Sequence, residues 1–156
     1  MRVLFMCTAN SCRSILSEAM FNHLAPPGFE AVSAGSFPKG QVLPRSLTTL
    51  QRAGISIDGL NSKGNDAFEG NPPDIVITVC DKAAGETCPV YFGPALKSHW
   101  GLEDPSDVMG DEAAVDLAFR STLARIEQRC KAFLDLPLNS LSRDQLKHEI
   151  DRIGTL

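Results

Sequence analysis

Near its start the chain runs from Val3-Leu4-Phe5-Met6 straight into Cys7-Thr8-Ala9-Asn10-Ser11-Cys12-Arg13-Ser14, and from there into residues at helical spacing. A short apolar run from Arg2 to Met6 that ends at a polar turn reads as a strand buried on both faces, the kind found in parallel sheets. Parallel neighbours cannot be joined by a tight hairpin, so strands have to alternate with crossover helices.

The rest of the chain fits that requirement. Ser14 to Leu24 places Ile15, Leu16, Ala19, Met20 and Leu24 on one helical face, and Pro26-Pro27-Gly28 stops it. Phe29 to Ala34 reads as a second strand. Pro44 opens a helix that runs to about Ala53, with Gly54 as its cap. Gly59 to Asn71 is polar and reads mainly as loop, with room for a short helix. Asp74 to Val79 is the strongest strand, and Leu96 to Trp100 a shorter one. A long helix over Asp111 to Leu134 carries Val115, Phe119, Ile126, Cys130 and Phe133 as a stripe. Ser142 and Gln145 have capping-box spacing at the start of a last helix, and Leu141 with Leu146 has that of a hydrophobic staple. The pattern predicts an α/β fold over residues 1–156 as one domain, a parallel sheet covered by helices on both faces, with any ligand site beyond the carboxyl ends of the strands.

Composition narrows the partners. With a net charge of −4 and no basic stripe, nucleic acid and anionic membranes are poor candidates. No apolar run is long enough for an export signal or a membrane span, so the expected setting is the cytoplasm. Five cysteines in a reducing compartment point to metal binding or thiol chemistry rather than to staples. Neither cysteine pair has the close spacing of a structural zinc site, and His23, His99 and His148 are scattered, so no metal is expected. Cys130 falls on the apolar stripe and reads as structural.

A cysteine, five residues and an arginine between a buried strand and a helix start have a specific chemical meaning. The backbone N–H groups of Thr8, Ala9, Asn10, Ser11, Cys12 and Arg13 can turn inward as an anion nest at the positive end of a helix. Arg13 can grip two oxygens of a tetrahedral oxyanion in fork geometry. Cys7 at the floor of this field is expected to have a lowered pKa, with Ser14 donating to its thiolate. Cys12 borders the nest and reads as mainly structural, with a minor redox role at most. Asp104, stiffened by Pro105 and lying just after a strand on the same sheet edge, is the candidate acid for the departing oxygen, ahead of Glu103 and Asp107.

The loop and the Asp104-Pro105 pair resemble the low-molecular-weight protein tyrosine phosphatase superfamily, and Ser33-Ala34-Gly35 and Ser62-Lys63 extend the match to nearly the whole chain. The resemblance implies a four-stranded parallel sheet flanked by helices. Cys80, at the end of the strongest strand, and Cys88, in Thr87-Cys88-Pro89, separate two activities within it. A phosphatase completes its cycle with water and needs neither, whereas a reductase needs both.

This arrangement is similar to that of the thioredoxin-coupled arsenate reductases. The similarity implies that Cys7 attacks arsenate, that Cys80 attacks Cys7 and releases arsenite, and that Cys88 carries the oxidising equivalents outward. Seven residues separate Cys80 from Cys88, which suggests a small insertion relative to that group. Thioredoxin is the expected donor and glutathione with glutaredoxin the other. No tightly bound cofactor is implied, and the chain is expected to act as a monomer. The resemblance also suggests a monovalent cation beside Asn10 and Glu18. Phosphate or sulfate should fit the same nest. A tyrosine phosphatase is the rival enzyme, weakened because Ser106-Asp107-Val108-Met109 follows Asp104-Pro105 with no tyrosine and Tyr91 is the chain's only one. A thiol-based sensor is the non-catalytic rival, but it leaves Arg13 and Asp104 without a purpose.

Overall fold

The computed structural model describes residues 1–81, 85 and 92–156. Four strands, β1 (Arg2–Cys7), β2 (Glu30–Gly35), β3 (Ile75–Thr78) and β4 (Leu96–His99), form one sheet in the order β2-β1-β3-β4. All three pairings are parallel. The helices are α1 (Arg13–Leu24), α2 (Pro44–Arg52), α3 (Glu112–Leu134) and α4 (Arg143–Ile153). The four-stranded parallel α/β sheet implied by the resemblance is the one observed.

Alternation along β1 explains both faces of the core. Val3, Phe5 and Cys7 point to one side, where residues of α1, α2, α3 and α4 meet them. Phe5, Phe21, Trp100 and Phe133 interlock there with ring centroids 5.7–6.4 Å apart. Leu4 and Met6 point to the other side, against Val76, Phe92 and Ala95, with Val32 and Phe68 packed alongside. Phe68 ends a short 3-10 helix, Asn65–Phe68, inside the stretch read as mainly loop with room for a short helix.

Local signals hold at the helix ends. Gly54 sits at φ +75°, its N–H bonds Gln51 O, and Ile55 N–H bonds Leu50 O, a Schellman end to α2. Asp111 caps α3 through Ala114 N–H, and Ser142 and Gln145 form the expected capping box. The long-helix stripe contains one residue the apolar pattern passed over. Arg129, buried among Ile126, Cys130 and Phe133, donates Nη1 to Gly101 O at 3.0 Å and Nη2 to Leu156 O at 3.1 Å. Among the described residues, no helix is long and apolar enough to cross a membrane.

Candidate active site

In the order β2-β1-β3-β4 the chain leaves β1 first to one side and then to the other, so the crevice at the carboxyl ends of β1 and β3 is the topological switch point. Cys7 ends β1 opposite Gly35 of β2. On the other side Met6 pairs with Thr78, and Val79 N–H donates to Met6 O at 2.9 Å. Cys7 and Cys80 therefore leave neighbouring strands side by side. Strands about 4.8 Å apart put such residues within the Cα separation a disulfide needs. All four described cysteines, Cys7, Cys12, Cys80 and Cys130, are buried and unbridged. Thr8 Oγ1 lies 3.6 Å from Cys80 Sγ.

The loop from Thr8 to Cys12 is shaped from outside. Its carbonyls are taken by surrounding groups: Thr8 O by Phe37 N–H (2.9 Å), Ala9 O by Lys39 N–H (3.0 Å), Ser11 O by Leu43 N–H (3.0 Å) and Cys12 O by Leu16 N–H (2.8 Å). Ser62 Oγ adds a second donor to Ala9 O at 3.1 Å. With the carbonyls spent outward, the amides on the opposite edges of those peptide planes turn into the loop. Asn10 makes the turn at φ +48°, in the left-handed region that asparagine tolerates. Its fully buried side chain donates to Ser14 Oγ (2.8 Å) and Ser33 Oγ (3.0 Å) and accepts Lys63 N–H (2.9 Å). Gly35 is required by close approach, since a Cβ there would stand 2.4 Å from Thr8 O. No side chain caps α1, which leaves its first amides and its positive end to an anion.

Arg13, the first residue of α1, reaches across the crevice to the loop after β4. Nη1 donates to Leu102 O at 3.0 Å and Nη2 to Asp104 Oδ2 at 3.4 Å, while Nε is buried without a partner. Asp104 Oδ1 accepts Ser106 N–H (3.0 Å) and Ser106 Oγ–H (2.7 Å), so Asp104 caps a 3-10 turn, Pro105–Asp107. Leu102 N–H donates to Val79 O at 3.0 Å, which ties this loop to the residue before Cys80. Thr8, Arg13, Cys80, Asp81, Leu102, Glu103 and Asp104 are among the residues that line a cleft of about 590 Å³. Cys7, Arg13, Cys80 and Asp104, expected together from the sequence, meet at this one sheet edge. Cys88 lies outside the described residues.

One expectation is corrected. The nest alone argued for a lowered Cys7 pKa, but the Cys7 thiol is pushed up. Its hydrogen bond to Cys80 is the largest cause, followed by burial and by repulsion from charge on Cys80. Arg13 and the Thr8 N–H pull the other way without prevailing. Two buried thiols in contact do not both ionise easily, so Cys7 and Cys80 titrate as a pair. Ser14 Oγ accepts the Asn10 amide at 2.8 Å, a bond that leaves its own hydroxyl hydrogen to donate.

Two further groups stand just behind the nest. Glu18 Oε1 accepts Ser33 Oγ–H at 2.6 Å and lies 3.7 Å from Lys63 Nζ. Burial raises the Glu18 pKa and lowers that of Lys63, with their mutual attraction offsetting part of each shift. Lys63 thus brings an ammonium to the place where the resemblance suggested a free cation. Cys12 lies against Ser46, and burial raises its pKa to about 11. Ser106 and Arg129 escaped the sequence reading. The Asp-Pro-Ser spacing of an Asx turn was the signal for Ser106, and a lone arginine inside an apolar stripe was the signal for Arg129.

A strand-loop-helix anion nest with a cysteine at its floor, an arginine at its rim and an aspartate facing that arginine defines a class of cysteine-dependent α/β enzymes acting on tetrahedral oxyanions. Residues 2–149 match the model of the family described as low molecular weight phosphotyrosine protein phosphatase, and the chain belongs to that family. Its relatives within the family include arsenate reductases. The chain is 30% identical to the arsenate reductase of Bacillus subtilis (strain 168) over 133 residues, 85% of this chain and 94% of that protein. A solved arsenate reductase in the phosphate-binding state superposes with a TM-score of 0.71 at 25% identity, covering 85% of this chain and 95% of that one. The thioredoxin-dependent arsenate reductase of Corynebacterium glutamicum gives a TM-score of 0.60 at 29% identity, covering 83% and 60%.

Proposed function

We propose that this chain reduces arsenate to arsenite, with Cys7 as nucleophile and a dithiol relay through Cys80 and Cys88. The observation that carries the reading is the pairing of Cys7 with Cys80 at the ends of neighbouring strands, which hydrolysis of a phosphate ester does not call for. Arsenate enters the nest, and Arg13 holds two of its oxygens. Entry of the anion beside Arg13 and the loop amides favours moving the Cys7 proton off the sulfur and, by way of a bound arsenate oxygen, onto Asp104. Cys7 displaces one arsenic-bound oxygen, which leaves as water after taking a proton from Asp104, and an S–As(V) bond forms.

The Cys80 thiolate then attacks the Cys7 sulfur. The S–As bonding pair goes to arsenic, arsenite departs as As(III), and a Cys7–Cys80 disulfide remains. Cys88 attacks Cys80, Cys7 leaves as thiolate, and the Cys80–Cys88 disulfide is reduced by an external dithiol. The thioredoxin dependence of the Corynebacterium relative supports thioredoxin as that donor ahead of glutaredoxin. The Lys63 ammonium beside Glu18 favours a built-in charge over a bound monovalent cation. Slow hydrolysis of small aryl phosphates follows from the same nest, and Phe37, 71% exposed on the loop after β2 and donating its N–H to Thr8 O, offers such rings an apolar surface.

The test is arsenate-dependent NADPH oxidation with thioredoxin and thioredoxin reductase, run on the wild type and on Cys7→Ser, Cys80→Ser and Cys88→Ser. All three substitutions should abolish multiple turnover, while Cys80→Ser and Cys88→Ser keep aryl-phosphate hydrolysis. Activity with glutaredoxin alone would change the donor. A wild type that reduces no arsenate with either donor but hydrolyses phosphotyrosine briskly ends the proposal.

A further inference from the structure

Arg13 is fully engaged on one side and half-engaged on the other. Nη1 holds Leu102 O at 3.0 Å, whereas Nη2 reaches Asp104 Oδ2 at only 3.4 Å and its edge neighbour Nε is buried with no partner. A tetrahedral oxyanion is gripped by two parallel N–H donors on one guanidinium edge. The Nε–Nη2 edge is the one with an open donor beside an exchangeable one. Asp104 offers that edge a single carboxylate oxygen, since Oδ1 is occupied by the N–H and hydroxyl of Ser106.

We propose that Asp104 holds the place of the oxyanion on Arg13 before substrate binds, and that Ser106 keeps Asp104 aimed at the nest when the oxyanion takes that edge. The inference rests on the reading of Arg13 as the anion's clamp. Substrate entry moves Nη2 from Asp104 Oδ2 to an arsenate oxygen and gives Nε its first partner. Nη1 stays on Leu102, so the loop keeps its anchor during the exchange. Because Ser106 holds Oδ1 throughout, the freed Oδ2 is the oxygen that takes up the proton Cys7 releases and passes it to the leaving hydroxyl. Ser106 is thereby a positioning residue, and arsenate makes its own acid available by displacing it from the arginine.

Calorimetric titration of the full chain with inorganic phosphate reads the exchange. Asp104→Asn keeps an oxygen for Ser106 but turns an amide NH₂ toward Arg13, so phosphate should bind about three- to tenfold more tightly. Glu103→Gln removes a charge from the same cleft and gauges the field alone, with an expected change below about twofold. No tightening in Asp104→Asn, or equal tightening in both variants, overturns the proposal. Ser106→Ala should lower kcat for arsenate about three- to tenfold at unchanged KM, and Ser106→Thr should restore it. An unchanged kcat in Ser106→Ala removes Ser106 from the device. Tighter phosphate binding in Asp104→Asn without any arsenate turnover by the wild type would leave the exchange standing and sink the reductase reading instead.

Discussion

The two halves of the crevice are held in place by different kinds of bond. The nest, Cys7 to Arg13, is fixed by backbone donors from the loops after β2 and by the buried Asn10 amide, with Gly35 pressed against Thr8 O. The loop from Gly101 to Asp107 is held at two successive carbonyls by guanidinium groups, Arg129 on Gly101 O and Arg13 on Leu102 O. Backbone bonds to a strained turn allow one geometry, whereas a guanidinium can exchange one acceptor for another. The floor that receives the oxyanion is therefore fixed, and the proposed proton donor is adjustable.

Breaking the fixed half should have the largest effect. Asn10→Ala leaves an alanine in the left-handed region and removes the bonds to Ser14, Ser33 and Lys63, a loss of about 3 kcal/mol in stability. Phosphate affinity should fall about 100-fold as the amides lose their common focus, a loss of about 3 kcal/mol in binding. Urea unfolding and phosphate titration check both numbers. Near-normal phosphate binding in a destabilised Asn10→Ala would mean that the outer backbone bonds suffice and that the contrast between the halves is overstated.

Arg129→Met tests the adjustable half. It strips Gly101 O and Leu156 O of their buried donor, at about 1–3 kcal/mol of stability, and lets the Asp104 loop wander. The expected signature is a kcat for arsenate about tenfold lower, with phosphate affinity within about twofold of wild type. A parallel loss of phosphate affinity would show that the two halves are not mechanically separate.

How much of this was legible in the sequence follows the same division. Continuous segments were readable: the buried run before Cys7, the α2 ending at Gly54, the Ser142–Gln145 box and the long helix all obey local rules. Cys7, Arg13, Cys80 and Asp104 were readable because each follows a strand at the same sheet edge or opens the helix there. The bonds of Asn10 to Ser33 and Lys63, the Glu18–Lys63 pair and the grip of Arg129 on Gly101 were not, since each joins residues 23 to 53 positions apart through orientations no pattern encodes. The Cys7 pKa failed for the same reason. The nest is local and argues downward, while Cys80 arrives from another strand and outweighs it.

Cys80→Ala sharpens that last point with a smaller effect. Removing the hydrogen-bond partner and its charge takes away the largest cause that holds Cys7 up and leaves burial, the second, in place, so the Cys7 thiolate should appear at lower pH. Ultraviolet thiolate absorbance and iodoacetamide trapping of Cys7 at neutral pH should both report it, with alkylation about tenfold faster. An unchanged rate would mean that burial, not Cys80, controls the nucleophile.

The smallest effect is a slope in stability at alkaline pH, and it tests the core behind the nest rather than the nest itself. Burial raises Cys130 from its ordinary value of 9.0 to about 12 and Cys12 to about 11, and Cys7 is raised as well. The folded chain therefore keeps protons that the unfolded chain gives up once the pH passes about 9, and ΔG of unfolding falls as pH rises. Lys63, lowered by burial, works in the opposite sense over part of this range, so the three thiols set the sign. Between pH 8 and 10.5 each thiol should remove about 2 kcal/mol, read as a drop in the urea midpoint. Cys130→Ala should reduce the drop by about a third, at its own cost of about 1 kcal/mol at pH 8. A midpoint independent of pH in the wild type would mean that these thiols are less shielded than their burial implies, and the fixed half of the molecule would then be looser than the adjustable one.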